Sequence, residues 1–187
     1  MEAKVTTLTQ QGSSGSKRLQ PSCRSIWAEF LKEFNPSKQE EFYLNERKAY
    51  MGDYPTLRQL DEQFEKRSSV AWLIPQLFNL SEYCGCKDKM TAGMIEECAS
   101  VIAAMFGKLK ISEVMLFFFL FKGGKYGKFY GAVDPITITC AMNEFMVKRA
   151  TDRDFYEREQ ERERLLSDME NTMTYAEYKA LIERKNN

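Results

Sequence analysis

The chain has 187 residues, enough for one domain of ordinary size with extended ends. Its 27 Lys and Arg balance 27 Asp and Glu, which excludes a globally cationic nucleic-acid binder and leaves only a local patch for such contact. Histidine is absent, and with it Ser-His-Asp and Cys-His catalysis and His-containing zinc sites.

Carboxylate or Lys chemistry around Asp134 is the remaining enzymatic route, and the expectation is a protein that is not an enzyme and needs no cofactor. Thirteen Phe and nine Tyr supply ample apolar area for a core. Five cysteines, Cys23, Cys84, Cys86, Cys98 and Cys140, are an odd number in a chain long enough to fold without a disulfide frame. The opening residues carry no apolar stretch of the secretory kind, so a reducing cytoplasm is expected. The longest apolar run, Val114 to Phe121, is far short of a membrane span and reads as buried core.

Residues 1–22 are Thr, Gln, Ser and Gly with few apolar groups, and are expected to be a disordered tail. Ile26, Trp27, Phe30, Leu31 and Phe34 recur at helical spacing until Pro36 stops the pattern. Phe42 to Tyr50 predicts a second short helix, closed by Gly52 and Pro55. These two pieces, residues 23–54, are expected to form a helical arm beside the main core. The compact domain is placed at 55–150. Leu57, Leu60 and Phe64 predict its first helix, with Pro55 near the first helical position. Val70, Leu73, Ile74, Leu77, Phe78 and Ser81 predict the next, which Pro75 either kinks or starts.

Thr91 is placed as the cap of a third helix with the stripe Met94, Cys98, Val101, Ile102 and Met105, ended by Gly107. Ser112 is placed as the cap of a fourth, apolar nearly all round, which must then be central; a buried strand is the competing reading. Asp134 caps a fifth, with Pro135 at its first position and the stripe Ile138, Ala141, Met142, Phe145 and Met146. From residue 151 the stripe fades into interleaved Arg and Glu, which predicts a solvated helical extension to 187. Within it, Tyr175, Tyr178, Leu181 and Ile182 mark a short amphipathic helix. The fold class is therefore all-α: a single irregular helical bundle with a disordered N-terminus and a charged C-terminal extension.

The segment from Gly123 to Gly131 is the least explained by local structure. Four glycines in nine residues forbid a stable helix. Lys122, Lys125 and Lys128 bring three charges, and no acid falls between Phe121 and Asp134. With Tyr126 and Tyr130 they make a candidate nucleic-acid or partner-binding surface, on the pattern of cationic grooves with aromatic platforms. The alternative is a connector whose aromatics fold back onto the core. No phosphate-loop pattern is present. Cys84, Cys86, Cys98 and Cys140 lack the paired spacing of a zinc site and read as ordinary thiols, so no metal is expected.

Between about Thr56 and Arg149 lie three stretches: AWLIPQLFNLSEYCGCKDKM, KISEVMLFFFLFKGGKYGKFYGAVDP and ITCAMNEFMVKR. They resemble a family of uncharacterised helical proteins from phage-like and mobile elements of gut Bacteroidetes. More distantly, the aromatic helix, GKYG, the aromatic-Gly-x-x-Asp turn and the helix ending in Arg are similar to phage replication accessory proteins. The resemblance leaves out the first 50 residues and the charged tail, and brings no catalytic residue. It implies an accessory or adaptor protein of mobile-element DNA metabolism with a protein partner, and the Lys and Tyr residues of the glycine segment add single-stranded DNA as a candidate contact. The other reading is a dimeric adaptor that touches no nucleic acid. Lysines and tyrosines exposed together would favour the first; buried aromatics would favour the second.

Overall fold

A computed structural model describes residues 23–171 and Lys179. The expected tail at 1–22 and the amphipathic segment around Tyr175 to Ile182 lie outside the described residues. Among those described the chain is all-α, with eight α-helices and one 3-10 turn. They run α1 Cys23–Glu33, the 3-10 turn Pro36–Lys38, α2 Gln39–Leu44, α3 Glu46–Met51, α4 Leu57–Gln63 and α5 Ser68–Tyr83. α6 Ala92–Met105, α7 Ile111–Lys122 and α8 Pro135–Asn171 complete the order.

The apolar run is a helix, not a strand. α7 buries every residue from Ile111 to Phe118, together with Leu120 and Phe121. Leu, Met and a carboxylate at the third helical position favour helix over sheet here. Ser112 is not its cap. The helix starts from Lys110, whose backbone N–H donates to the Glu113 carboxylate at 2.9 Å. The Ser112 hydroxyl instead donates to the Ala49 carbonyl at 2.7 Å, and the Lys110 ammonium donates to the carbonyls of Tyr50 and Gly52. The start of α7 is thereby fastened to the end of α3.

Residues 23–54 do not stand off as an arm. Phe34, Phe42, Ala49 and Tyr50 are buried in the same core as α5 and α7. The physical reason is the all-round apolarity of α7, which leaves a side that only α2 and α3 cover. Trp27, Phe30, Phe34, Phe42, Tyr54 and Phe64 form a continuous chain of ring contacts at 4.8–6.3 Å between α1 and α4. The expected single helix over 42–50 is broken at Asn45, whose side chain accepts from the Lys48 N–H and starts α3 afresh.

α4 opens with a reciprocal capping box: Gln59 N–H donates to Thr56 Oγ1 at 3.2 Å, and Thr56 N–H to Gln59 Oε1 at 2.8 Å. Pro55 therefore precedes the cap instead of filling the first helical position. Its carbonyl accepts from Ile111 N–H at 3.0 Å, which joins the starts of α4 and α7. Pro75 lies in the interior of α5, not in its first turn. It shares the exposed face with Ala71, the residue whose carbonyl would otherwise accept its N–H. The buried face of α5 is Val70, Trp72, Leu73, Gln76, Leu77 and Leu80, while the expected core residues Ile74 and Phe78 are exposed. α6 is rotated likewise: Thr91 caps it and Ile95, Cys98, Ala99 and Ile102 are buried, but Met94, Val101 and Met105 are exposed.

α8 starts as expected, with the Asp134 carboxylate accepting from the Ile136 and Thr137 N–H groups at 3.0 and 3.2 Å. Those bonds hold its pKa below the usual carboxylate value. The helix does not end near Arg149. It continues unbroken through 37 residues, about 55 Å at the usual rise. Its middle returns to the core: Tyr50 donates to Asp152 at 3.0 Å, Tyr156 packs on Tyr50, and Arg47 holds Glu163 through two bonds at 2.9 and 2.5 Å.

The deepest ion pair joins α7 to α8. Glu113 is 0% exposed, and its Oε1 takes a bond from Arg149 Nε at 2.8 Å. Removing one member of such a pair leaves an unpaired buried charge. Arg149→Met should therefore cost about 3–5 kcal/mol in a denaturant titration, and Glu113→Gln combined with Arg149→Met should cost less than Arg149→Met alone. Burial also raises the pKa of Tyr50 above its ordinary 10.0, with the nearby Asp152 charge adding to the effect. A phenol kept neutral by the fold stabilises it fully below its unfolded value, and that stability is lost as pH rises beyond it. The urea midpoint should fall as pH rises beyond about 10, and Tyr50→Phe should blunt the fall.

Candidate functional site

Three aligned bonds close α7 at the glycine segment. Gly123, Gly124 and Lys125 N–H groups donate to the carbonyls of Phe119, Phe121 and Leu120 at 3.0, 2.9 and 3.1 Å. Gly124 and Gly127 take φ of 78° and 100°, the left-handed region that a side chain disfavours. A Cβ at either position would meet nothing within 4 Å, so glycine is needed there for its backbone and not for space. The far end of the segment is pinned where Val133 N–H donates to the Asp88 carbonyl at 3.0 Å.

The five candidate residues divide into two groups. Lys125, Lys128 and Tyr130 are exposed, Tyr130 at 82%, with the Lys128 ammonium 5.3 Å from the centre of its ring. Lys122 and Tyr126 are drawn inward. Tyr126 packs against Phe117 and Phe145 at 5.8 and 6.2 Å, and Phe129 lies on Phe121 at 5.3 Å. The Tyr126 hydroxyl is buried without a hydrogen-bond partner, and burial pushes its pKa up to about 12. The expected platform of three lysines and two tyrosines is thus reduced to two cations and one ring.

Lys122 is held by neutral groups. Its ammonium donates to Gln39 Oε1 at 2.7 Å and to Asn79 Oδ1, and lies 5.6 Å over the Tyr83 ring. Among the described residues it has no carboxylate partner, and burial lowers its pKa. Behind it runs a buried relay. Gln39 Nε2 donates to Gln76 Oε1 at 2.7 Å, and Gln76 Nε2 donates to the Phe34 carbonyl at 2.9 Å. Trp72 Nε1 shares that carbonyl at 2.8 Å. Sequence reasoning missed Gln39, Asn79 and Gln76. Gln76 gave a signal, as a polar residue one position off an apolar stripe.

The cysteines do not converge. Cys84 and Cys86 sit half-buried at the end of α5, Cys98 is buried in α6, and Cys140 is exposed on α8, not on its apolar stripe. Burial raises the Cys98 thiol to about 11 and raises Cys84 as well. No group of three or more Cys, Asp or Glu that could hold a metal ion occurs among the described residues. No described helix is long and apolar enough to cross a membrane.

Two apolar grooves flank α6. One, about 190 Å³, is lined by Met94, Cys98, Val101, Pro135, Ile136 and Thr139. The other, about 430 Å³, is lined by Ile74, Pro75, Phe78, Met90, Ala92 and Ile95. Of the exposed apolar positions expected in the core, Met94 and Val101 line the first groove and Ile74 and Phe78 the second. An unpartnered buried hydroxyl costs about 1–3 kcal/mol, so Tyr126→Phe should leave stability unchanged or raise it by about 1 kcal/mol, read as a higher urea midpoint.

No curated protein and no solved structure matches the chain. One family model matches residues 89–187, from the segment before α6 to the end of the sequence. The match therefore includes the charged tail, which the resemblance had left outside, and omits residues 56–88, which it had included. Covering just over half of the chain, with the glycine segment, α7 and α8 inside it, the match makes this protein a member of a family of unknown function, DUF6633.

Proposed function

We propose that the protein is a non-enzymatic adaptor that holds a protein partner on the apolar surface around α6. The observation that carries this is the pair of grooves above. Met94, Val101 and Ile136 on one side, and Ile74 and Phe78 on the other, are large apolar side chains left in water. Contiguous apolar surface bordered by charge is the usual mark of a protein-binding face. Here the border includes Glu96 and Glu97. Methionines suit such a face because the unbranched thioether adapts to its partner.

The burial of Tyr126 and Phe129 also favours the adaptor over a strand-binding platform. The setting we infer, DNA metabolism of a phage-like or mobile element in a bacterial cytoplasm, rests on the resemblance of the glycine segment and its flanking helices. In that setting the partner would be a protein of the element's replication machinery. Contact with single-stranded DNA through Lys125, Lys128 and Tyr130 is the lesser reading, supported by their joint exposure.

The test is affinity capture from the native host with nuclease present, using the wild type and a Val101→Asp, Ile136→Asp variant. Both positions are exposed, so the variant should keep its helical circular dichroism. A partner that survives nuclease and is lost at least tenfold by the variant is the expected result, because a central apolar contact contributes about 2 kcal/mol or more. Equal capture by the variant, or loss on nuclease alone, would overturn the reading.

A further inference from the structure

We infer that the cavity between the end of α5 and the glycine segment is a binding site for a small oxyanion, a phosphomonoester or a carboxylate of similar size. It is separate from the adaptor surface and shares no lining residue with it. The cavity is about 280 Å³, at the small end for ligand sites, and its walls include Tyr83, Cys84, Lys122, Gly127, Lys128 and Phe129.

Lys122 carries the argument. A lysine ammonium has three N–H donors. Two are taken by Gln39 and Asn79, and both acceptors are uncharged. The third has no hydrogen-bond acceptor among the described residues, and Lys122 lines the cavity together with the Tyr83 ring that its ammonium lies over. Partly buried charge without a counter-charge is costly, and an anion in the cavity supplies that counter-charge. The relay through Gln39 and Gln76 to the Phe34 carbonyl fixes the ammonium in place before any ligand arrives. Such preorganisation favours binding of a small group with few contacts.

Lys128 supplies a second cation on the wall, and the sequence offers no acid from Lys122 to Val133. Gly124 and Gly127, in left-handed backbone with open space around them, let an anion approach the main chain closely. Tyr83, Phe121 and Phe129 give the other half of the lining an aromatic character that suits a small flat body behind the charged group. Lys125 does not line the cavity. The site is thus set by geometry, not by the general positive charge of the segment.

The probe is phenyl phosphate, followed by titration calorimetry and by amide shifts of the glycine segment. Wild type should bind one equivalent saturably. Lys128→Ala, at an exposed position outside the core, should weaken binding about tenfold, as expected for the loss of one charge-assisted hydrogen bond. Lys122→Met, if its circular dichroism is native, should abolish binding, and if it is not, Lys128→Ala decides. Lys125→Ala should leave affinity within about twofold, within the range of a screened surface charge. No saturable binding by wild type, unchanged affinity in Lys128→Ala, or an equal loss in Lys125→Ala would overturn the site. Saturation by a short single strand with none by phenyl phosphate would do the same, in favour of a strand surface.

Discussion

A helix with no polar face has to be surrounded, and α7 is such a helix. Ten of its twelve residues are buried, from Ile111 through Phe121 with only Phe119 partly open. An amphipathic helix needs neighbours on one side; α7 needs them on every side. α2 and α3 cover one flank, α5 another and α8 a third. Phe117 alone meets Phe118, Phe121, Tyr126 and Phe145 within 6 Å. This demand recruits residues 23–54 into the core and folds the aromatics of the glycine segment inward.

Burying a helix completely creates a second problem at its ends, where backbone groups lose their partners. The chain solves it with polar side chains placed inside the core. At the start of α7, Glu113 accepts the Lys110 N–H and pairs with Arg149, while Ser112 and Lys110 bind carbonyls at the end of α3. At the other end, Gly123 and Gly124 close the helix, and Lys122 turns into the relay of Gln39 and Gln76. Each of these polar groups ties α7 to an element far away in sequence. Satisfied networks of this kind specify one arrangement of helices where apolar packing alone would allow several.

The same economy shapes the exposed apolar surface. α5 buries Trp72, Leu73, Leu77 and Leu80 and turns Ile74 and Phe78 outward. α6 packs against α5 through Ile95, Ala99 and Ile102 and presents Met94, Val101 and Met105 to water. The apolar grooves are what remains when the core is satisfied. The cavity beside Lys122 has the same origin: the glycines that end α7 leave space beside an ammonium that the core has positioned.

Much of this was legible in the order of residues. The all-α class, the five helices of 55–150, the central place of Val114 to Phe121, the caps at Thr91 and Asp134 and the glycine connector follow from periodicity and capping chemistry, which are local. The direction of each helix's buried face did not follow for α5 and α6. Both carry apolar residues on more than one side, and the helices packed against them select which side is covered: α6, α4 and α7 for α5, and α5 and α8 for α6. The break at Asn45 and the cap by Glu113 in place of Ser112 rest instead on bonds between residues three apart, local chemistry that periodicity alone does not report. Partners distant in sequence decide the division of the candidate site, where three lysines of equal appearance became one held by buried amides and two exposed to water. Periodicity reports that a side chain is apolar or charged; what it meets is decided by contacts across the chain, and those form only when the helices pack.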